Sequence, residues 1–325
     1  MRQSNLRLVG SWVVPALAFV FCAMATDAAH AEEGVFWEAR APGRPVLLLM
    51  PTLHFLPDPA QDINQVLERV IMRVSSVVTE SPMTDATPVE AEVIKQMEIY
   101  PPTDSLENHF GAEGLDALHA CAANAHMPYP VFTRIKPWAL TLLVARRLKT
   151  PPTYAGIETR LVLGAQAAHR SVSSLLTAVE NMEELQEMPA RLQKIDLLET
   201  CKRFDRTVDN QLLQDLTKDW RQGDVRSLAV DVERPTEPGD VPELKQVGDF
   251  TKANGSSLYM EALLSERIQA MTGPILVAVG AAHLVGEPSM LTRLAKAGYT
   301  VRRTTLDQYP EIPLTAKVAA SASHD

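Results

Sequence analysis

Two short, uninterrupted apolar runs near opposite ends of the chain constrain its fold most. They are VLLLM at 46–50 and ILVAVG at 275–280. Continuous apolar runs of this length are typical of strands that are buried on both faces, as in the parallel sheet of an α/β protein. Because strands from both ends must join one sheet, the sequence predicts a single domain rather than two consecutive ones.

The residues between these runs alternate between helical and strand patterns. Ile63, Val66, Leu67 and Val70 have the spacing of an amphipathic helix, and SVVT at 76–79 follows as a second strand. A strand–helix–strand crossover of this kind makes parallel neighbours. Further strands are predicted at 172–176 and 299–304. We therefore expect an α/β fold with a central, mostly parallel or mixed sheet and flanking helices.

Two mainly helical stretches interrupt the strand–helix pattern, at about 86–130 and 185–235. They predict a helical cap inserted into the α/β domain and packed on the sheet. The domain itself is expected to span 32–315. The last residues, 316–325, are small and polar and are expected to be a disordered tail.

The first 31 residues resemble a secretory signal peptide. Arg2 and Arg7 precede an apolar stretch at 9–25, and Ala29-His30-Ala31 offers small residues at a cleavage site. An uncleaved anchor is the alternative, although Pro15 interrupts a stretch that is barely long enough to cross a bilayer. We expect cleavage after Ala31, export to the periplasm or the extracellular space, and no membrane span in the mature protein.

Charge and cysteine content limit which partners and which cysteine chemistry the protein can have. With 31 basic and 40 acidic residues the net charge is −9, which argues against a nucleic-acid partner. Removal of the leader leaves Cys121 and Cys201, which in an oxidising compartment either pair or remain two isolated buried thiols. Neither cysteine lies in a redox or catalytic motif.

Four polar residues follow predicted strands directly. His54, Glu80, Glu180 and His283 each come just after a strand's carboxyl end. In an open parallel sheet these ends share one edge, where ligands bind. Two histidines with one or two carboxylates predict either a divalent-metal site or an acid–base pair. The motifs of zinc peptidases of the His-Glu-x-x-His type, serine hydrolases, phosphate loops and dinucleotide folds are absent.

The stretch GAAHLVG at 280–286 resembles the second Gly-x-x-His motif of the TraB/PrgY/GumN family, which includes the TIKI-type metalloproteases. The resemblance covers roughly 46–303. The segments KPW at 136–138, GIE at 156–158 and WRQGD at 220–224 look like further landmarks of that family. The first motif reads PTLH at 51–54, so Pro51 stands where the family has glycine.

The resemblance implies a hydrolase-like α/β fold and, for the TIKI branch, metal-dependent proteolysis. His54, His283 and Glu80 match the positions of metal ligands or catalytic groups. Glu180 and Arg267 match a glutamate and an arginine of the family. In a metal-dependent hydrolase, Glu180 would act as the general base or hold a metal ligand in place, and Arg267 would stabilise developing negative charge. If the first motif required a positive φ or the amide at position 51, Pro51 would displace His54.

These observations favour an exported, metal-dependent hydrolase that is peptidase-like. It would use a divalent ion such as Mn, Co or Zn, and act on a peptide or envelope-derived substrate. One alternative keeps the site without metal, with a histidine activating water and a glutamate orienting it. A second alternative is a non-catalytic envelope protein that binds a peptide or saccharide in the same cleft.

Overall fold

The structure is a computed structural model that describes residues 35–82, 86–148, 153–205, 211–234 and 242–313. The predicted signal peptide at 1–31 and the predicted tail at 316–325 lie outside these residues. Among the helices of the described ranges, none has the length and apolar character needed to cross a bilayer.

The described residues form a six-stranded mixed sheet and a separate two-stranded ribbon. The strands are β1 (Trp37–Arg40), β2 (Leu47–Thr52), β3 (Phe55–Leu56), β4 (Ser76–Thr79), β5 (Tyr154–Ala155), β6 (Ser171–Ser174), β7 (Ile275–Gly280) and β8 (Thr300–Arg303). The order across the main sheet is β6-β4-β7-β2-β1-β8. The first four of these strands run parallel, and β1 is antiparallel to both of its neighbours.

The pairing of β2 with β7 joins the two ends of the chain. Leu47 lies opposite Ile275 and Thr52 opposite Gly280, and every residue of both strands is buried. Continuous burial on both faces explains why the sequence of these strands is apolar without alternation. The predicted α/β class with a central mixed sheet is therefore confirmed.

Helices cover the sheet and form the cap. They are α1 (Gln61–Ile71), α2 (Pro88–Glu98), α3 (Ala112–Asn124), α4 (Tyr129–Phe132), α5 (Pro137–Ala145), α6 (Ile157–Ala167), α7 (Ala178–Gln186), α8 (Ala190–Lys202), α9 (Gln211–Gln222), α10 (Val225–Asp231), α11 (Glu243–Leu264), α12 (Glu266–Gln269), α13 (Ala281–Leu284) and α14 (Met290–Lys296). The long helix α11 contacts α7 and α8 as well as α13 and α14. It therefore links the cap to the edge of the sheet.

The cap has an apolar core of its own, which brings α3, α5 and α8 together. A disulfide between Cys121 of α3 and Cys201 of α8 crosses this core and spans a sequence separation of 80 residues. The structure thus decides between the two alternatives for these cysteines in favour of pairing. The covalent link ties the two predicted helical stretches to each other.

Strand β1 is the main element that the sequence patterns did not predict. Its sequence, WEAR, is short and carries two charges, so it lacks the apolar character of the other central strands. Glu38 is nevertheless buried, because it pairs with Arg40 and with Arg302 of β8 and accepts a hydrogen bond from Tyr309. β1 is therefore held by ion pairs and a hydrogen bond of Glu38, and a search for apolar runs in the sequence does not detect such a strand.

Candidate metal centre

The carboxyl ends of β2, β4 and β7 meet at one edge of the sheet. Thr52 pairs with Gly280, and Thr79 pairs with Ala278, so the three strands end at nearly the same level. Glu80 follows β4 directly, and the chain reaches His54 two residues after β2. His283 lies in α13, which begins where β7 ends. The parallel register is therefore what brings these side chains to one place.

His54 and Glu80 form a compact group with a second glutamate, Glu158, from the first turn of α6. One potential ligand atom from each of the three residues lies within 4.8 Å of the other two. Both glutamates are buried, whereas His54 is exposed and opens the group to solvent. The backbone N–H of Glu80 also donates to Glu158 Oε1 at 3.2 Å, which fixes one carboxylate relative to the other.

His283 adjoins this group through Glu80. Its Nε2 lies 3.5 Å from Glu80 Oε1, and the same oxygen accepts the backbone N–H of Gly280 at 2.9 Å. On the other side of the ring, Nδ1 lies 3.1 Å from Oγ of Ser256, a fully buried residue of α11. A hydrogen bond at one ring nitrogen orients the imidazole and directs the other nitrogen toward a ligand.

Glu184 of α7 approaches the same histidine from the cap. Tyr259 donates to Glu184 Oε2 at 3.5 Å, and the edge of the Tyr259 ring packs against the His283 imidazole with centroids 4.9 Å apart. Gly255 of α11 makes this approach possible. A Cβ at Gly255 would lie 2.6 Å from Glu184 Oε1 and 2.8 Å from His283 Cε1, both closer than real Cβ contacts allow.

Burial dominates the electrostatics of the group. It raises the pKa of Glu80 to about 7, against the lowering effect of the Gly280 hydrogen bond. Burial and then the negative charge of Glu80 raise the pKa of Glu158 to about 8 and that of Glu184 to about 7. Each carboxyl therefore resists ionisation because it is desolvated and lies near another.

The pKa values of the two imidazoles, His54 and His283, are shifted downward. Burial lowers the pKa of His283 to about 4, so the ring is neutral at pH 7 and free to donate a lone pair. Desolvation also lowers the pKa of the His54 imidazole, although the residue as a whole is exposed.

The donor set fits a divalent cation. Within the described ranges no lysine or arginine forms an ion pair with Glu80, Glu158 or Glu184. Buried carboxylates without a cationic partner are strongly disfavoured as charges, and a bound ion would supply the missing positive charge. Imidazole with carboxylate oxygen suits Mn, Co or Zn.

A sequence model of the TraB/PrgY/gumN family matches residues 35–303, which include every residue of this group. The chain belongs to the TraB/PrgY/gumN family. No curated protein and no solved structure matches it. The resemblance drawn from the GAAHLVG motif is thereby confirmed.

The departure from the TraB/PrgY/gumN motif at Pro51 has a structural account. Pro51 lies inside β2, and none of residues 51–54 has a positive φ. Its carbonyl accepts the indole N–H of Trp220 at 2.9 Å, and the next turn is fixed by the N–H of Ile157, which donates to Leu53 O at 2.9 Å. The condition of a positive φ is therefore not met at residues 51–54, and the effect of the missing Pro51 amide on His54 stays a prediction.

Glycine is required at position 156 instead. A Cβ on Gly156 would lie 2.1 Å from Leu53 O and 2.3 Å from His54 O. Contacts this close involve backbone atoms, which cannot move aside. Gly156, Ile157 and Glu158, seen in the sequence only as a landmark, thus form one unit that supports the His54 loop and supplies a carboxylate.

Glu180 and Arg267 do not join the group of His54, Glu80 and Glu158. Glu180 is exposed and caps α7, where its carboxylate accepts the N–H of Thr177 at 2.7 Å. Arg267 donates to Leu175 O at 2.7 Å. Both line a cleft of about 520 Å³, which Glu184 also lines.

Sequence reasoning did not identify Glu158, Glu184 or Ser256 as site residues. Glu184 lies one turn beyond Glu180, on the same helix, and only the packing of α7 against α11 selects it for burial. Ser256 lies within a long helix that carries no motif. Only the GIE segment gave a sequence signal, for Glu158.

Proposed function

We propose that this protein is an exported, metal-dependent hydrolase that acts on peptide bonds. The observation that carries the proposal is the group formed by His54, Glu80 and Glu158, whose ligand atoms lie within 4.8 Å of one another. His283 would complete the ligand set, since its Nε2 lies 3.5 Å from Glu80. A divalent ion in such a site lowers the pKa of a bound water and polarises a carbonyl oxygen.

The chain's own groups would have distinct tasks. Ser256 orients His283, and the Gly280 amide holds Glu80 in place. Glu184 is buried beside the group and has a pKa near 7, so it can accept and return a proton at neutral pH. Glu180 and Arg267 would meet the substrate in the adjoining cleft, where Arg267 could stabilise negative charge.

Export is supported by two independent features. The first 31 residues have the layout of a signal peptide. The Cys121–Cys201 disulfide fits an oxidising compartment such as the periplasm or the extracellular space. A peptide or other envelope-derived substrate would be available there. The net negative charge of the chain argues against a nucleic-acid partner.

The test is metal content and affinity. Elemental analysis and calorimetric titration with Mn, Co and Zn should give one tight divalent ion per chain. Glu80→Gln and His283→Ala should each weaken binding by more than about tenfold. The matched controls are Glu68→Gln on α1 and His119→Ala on α3, both exposed and outside the group. Parent protein without bound ion, or variants that bind like the controls, would sink the proposal.

Peptide turnover then separates the two remaining alternatives. Activity that survives exhaustive chelation would favour the metal-free histidine–glutamate mechanism. Peptide binding without turnover, retained in a double variant of His54 and His283, would favour the non-catalytic binding protein.

A further inference from the structure

Thr52 carries a buried hydroxyl that has no hydrogen-bond partner among the residues that the structure describes. It ends β2, two residues before His54, and it is only 2% exposed. Its position in β2 pairs with β7, but its Oγ1 is buried and bonds to none of the described residues. A buried hydroxyl without a partner is costly, so a polar ligand would be favourable beside it.

The register of the sheet gives the direction of this side chain. Thr52 pairs with Gly280 of the parallel strand β7. Side chains at paired positions of neighbouring strands lie on the same face of the sheet. A Cβ at Gly280 would lie 3.2 Å from Glu80 Oε1 and 3.5 Å from His283 Cδ2. The Thr52 side chain therefore leaves the sheet on the face that carries Glu80 and His283, one strand away from them.

Gly280 keeps the space between Thr52 and Glu80 free of a side chain. Neighbouring strands lie about 4.8 Å apart, so the Thr52 side chain begins about one strand spacing from the point where a Cβ of residue 280 would lie. The hydroxyl forms no direct hydrogen bond with Glu80. A water molecule spans a gap of this size by bonding to a hydroxyl on one side and a carboxylate on the other.

A second threonine of the same sheet shows the contrast. Thr79 ends β4 and is 1% exposed, so it is as deeply buried as Thr52. Its Oγ1 donates to the carbonyl oxygens of Ser81 at 3.0 Å and Ser173 at 3.4 Å. Both threonines thus end parallel strands, but only the hydroxyl of Thr79 is bonded within the described part of the protein. The hydroxyl of Thr52 remains available to a ligand.

We propose that Thr52 is a positioning residue of the candidate metal centre, and that its hydroxyl donates a hydrogen bond to a water molecule bound beside Glu80. Gly280 leaves the space for that water. The assignment rests on the proposed hydrolase function, because the ion would hold the same water that Thr52 orients. Hydrogen bonds of this kind, made to the groups around an ion, contribute to its affinity.

The test combines thermal unfolding of metal-free protein with calorimetric titration by Mn, Co and Zn. Thr52→Val keeps the shape of the side chain and removes the hydroxyl. Because Oγ1 bonds to none of the described residues, this change should leave the Tm of metal-free protein unchanged or raise it by about 2 °C. It should nevertheless weaken metal binding about tenfold, whereas Thr52→Ser, which keeps the hydroxyl, should stay within about threefold of the parent.

The matched control is Thr79→Val, which removes an equally buried hydroxyl that is bonded within the protein. It should lower the Tm by about 2 °C and leave metal affinity within about threefold of the parent. A Thr52→Val variant that lowers the Tm like the control, or that binds metal like the parent, would overturn the proposal, because either result makes the hydroxyl purely structural. A parent that binds no ion would overturn the proposed function and this assignment together. Metal binding that depends on Thr52 without peptide turnover would contradict only the hydrolase function.

Discussion

At Gly255, a single added methyl group should disturb the candidate metal centre, whereas the same change elsewhere in α11 should not. An alanine there would place Cβ 2.6 Å from Glu184 Oε1 and 2.8 Å from His283 Cε1. Gly248, seven residues earlier in the same helix, has nothing within 4 Å of the equivalent Cβ. Gly255→Ala and Gly248→Ala therefore give the same gain in helix propensity, and they differ only in the contacts that the new methyl group makes.

The magnitudes follow from these two surroundings. In a helix interior, glycine to alanine stabilises by about 1 kcal/mol, so Gly248→Ala should raise the free energy of unfolding by roughly that amount. Gly255→Ala gains the same propensity but must displace a glutamate and an imidazole, at a cost of about 1–3 kcal/mol for overpacking. The variants should differ by about 1–3 kcal/mol, with Gly255→Ala the less stable.

Thermal unfolding of metal-free protein measures this difference, since about 1 kcal/mol shifts the Tm of a chain this long by about 2 °C. Calorimetric titration then measures metal affinity. A displaced His283 should weaken binding about tenfold in Gly255→Ala, whereas Gly248→Ala should bind like the parent. Two variants of equal stability and equal metal affinity would refute the close approach of Glu184 and His283 across Gly255.

Three further predictions concern the sheet, the cap and the cleft. The pKa of Glu38 is lowered to about 2, mainly by the hydrogen bond from Arg40 and further by Tyr309 and Arg302, although burial acts in the opposite direction. The ionised carboxylate therefore stabilises the fold above about pH 4.5, and this stabilisation is lost as the pH falls toward 2. Glu38→Gln should therefore cost about 1–3 kcal/mol at pH 7, because solvent screens the half-exposed guanidinium groups of Arg40 and Arg302. It should also flatten the pH dependence of urea unfolding below pH 4.5, and an unchanged acid profile would contradict this. Removing the disulfide by Cys121→Ala/Cys201→Ala should cost about 4 kcal/mol, because it closes a loop of 80 residues, and an unshifted urea midpoint would argue against it. Glu180→Gln should keep metal affinity within about twofold of the parent, since its carboxylate caps α7; complete metal loss would instead place Glu180 among the ligands.

The sequence predicted the strands that hold the site because their environment leaves a simple signature. β2 and β7 are buried on both faces, and such strands read as uninterrupted apolar runs. Parallel crossovers then require their carboxyl ends to share an edge. The placement of His54, Glu80 and His283 at one edge followed from these two rules and holds in the structure, while their roles as ligands remain a prediction.

The helical contributions to the site had no comparable signature. α7 carries several glutamates, and the sequence does not say which one the cap buries. Proximity to the end of a strand favoured Glu180, but that residue became a helix cap, and Glu184 one turn later reached His283. On α7, Glu180 caps the helix and Glu184 is buried, and the packing of α7 against α11 determines which of the two glutamates is buried.

What the sequence determined by itself was the α/β class, the edge where chemistry would occur and the family to which the chain belongs. These conclusions depend on local apolar runs and on a short motif, and both can be recognised in the sequence without knowing which residues are in contact. Tertiary structure alone decided that Glu158, Glu184 and Ser256 lie at the site. It also placed Pro51 in a strand without a positive φ, and it brought Gly156 so close to the His54 loop that a Cβ there would collide with backbone atoms. Each of those outcomes depends on how closely two segments distant in sequence approach, which no local pattern encodes.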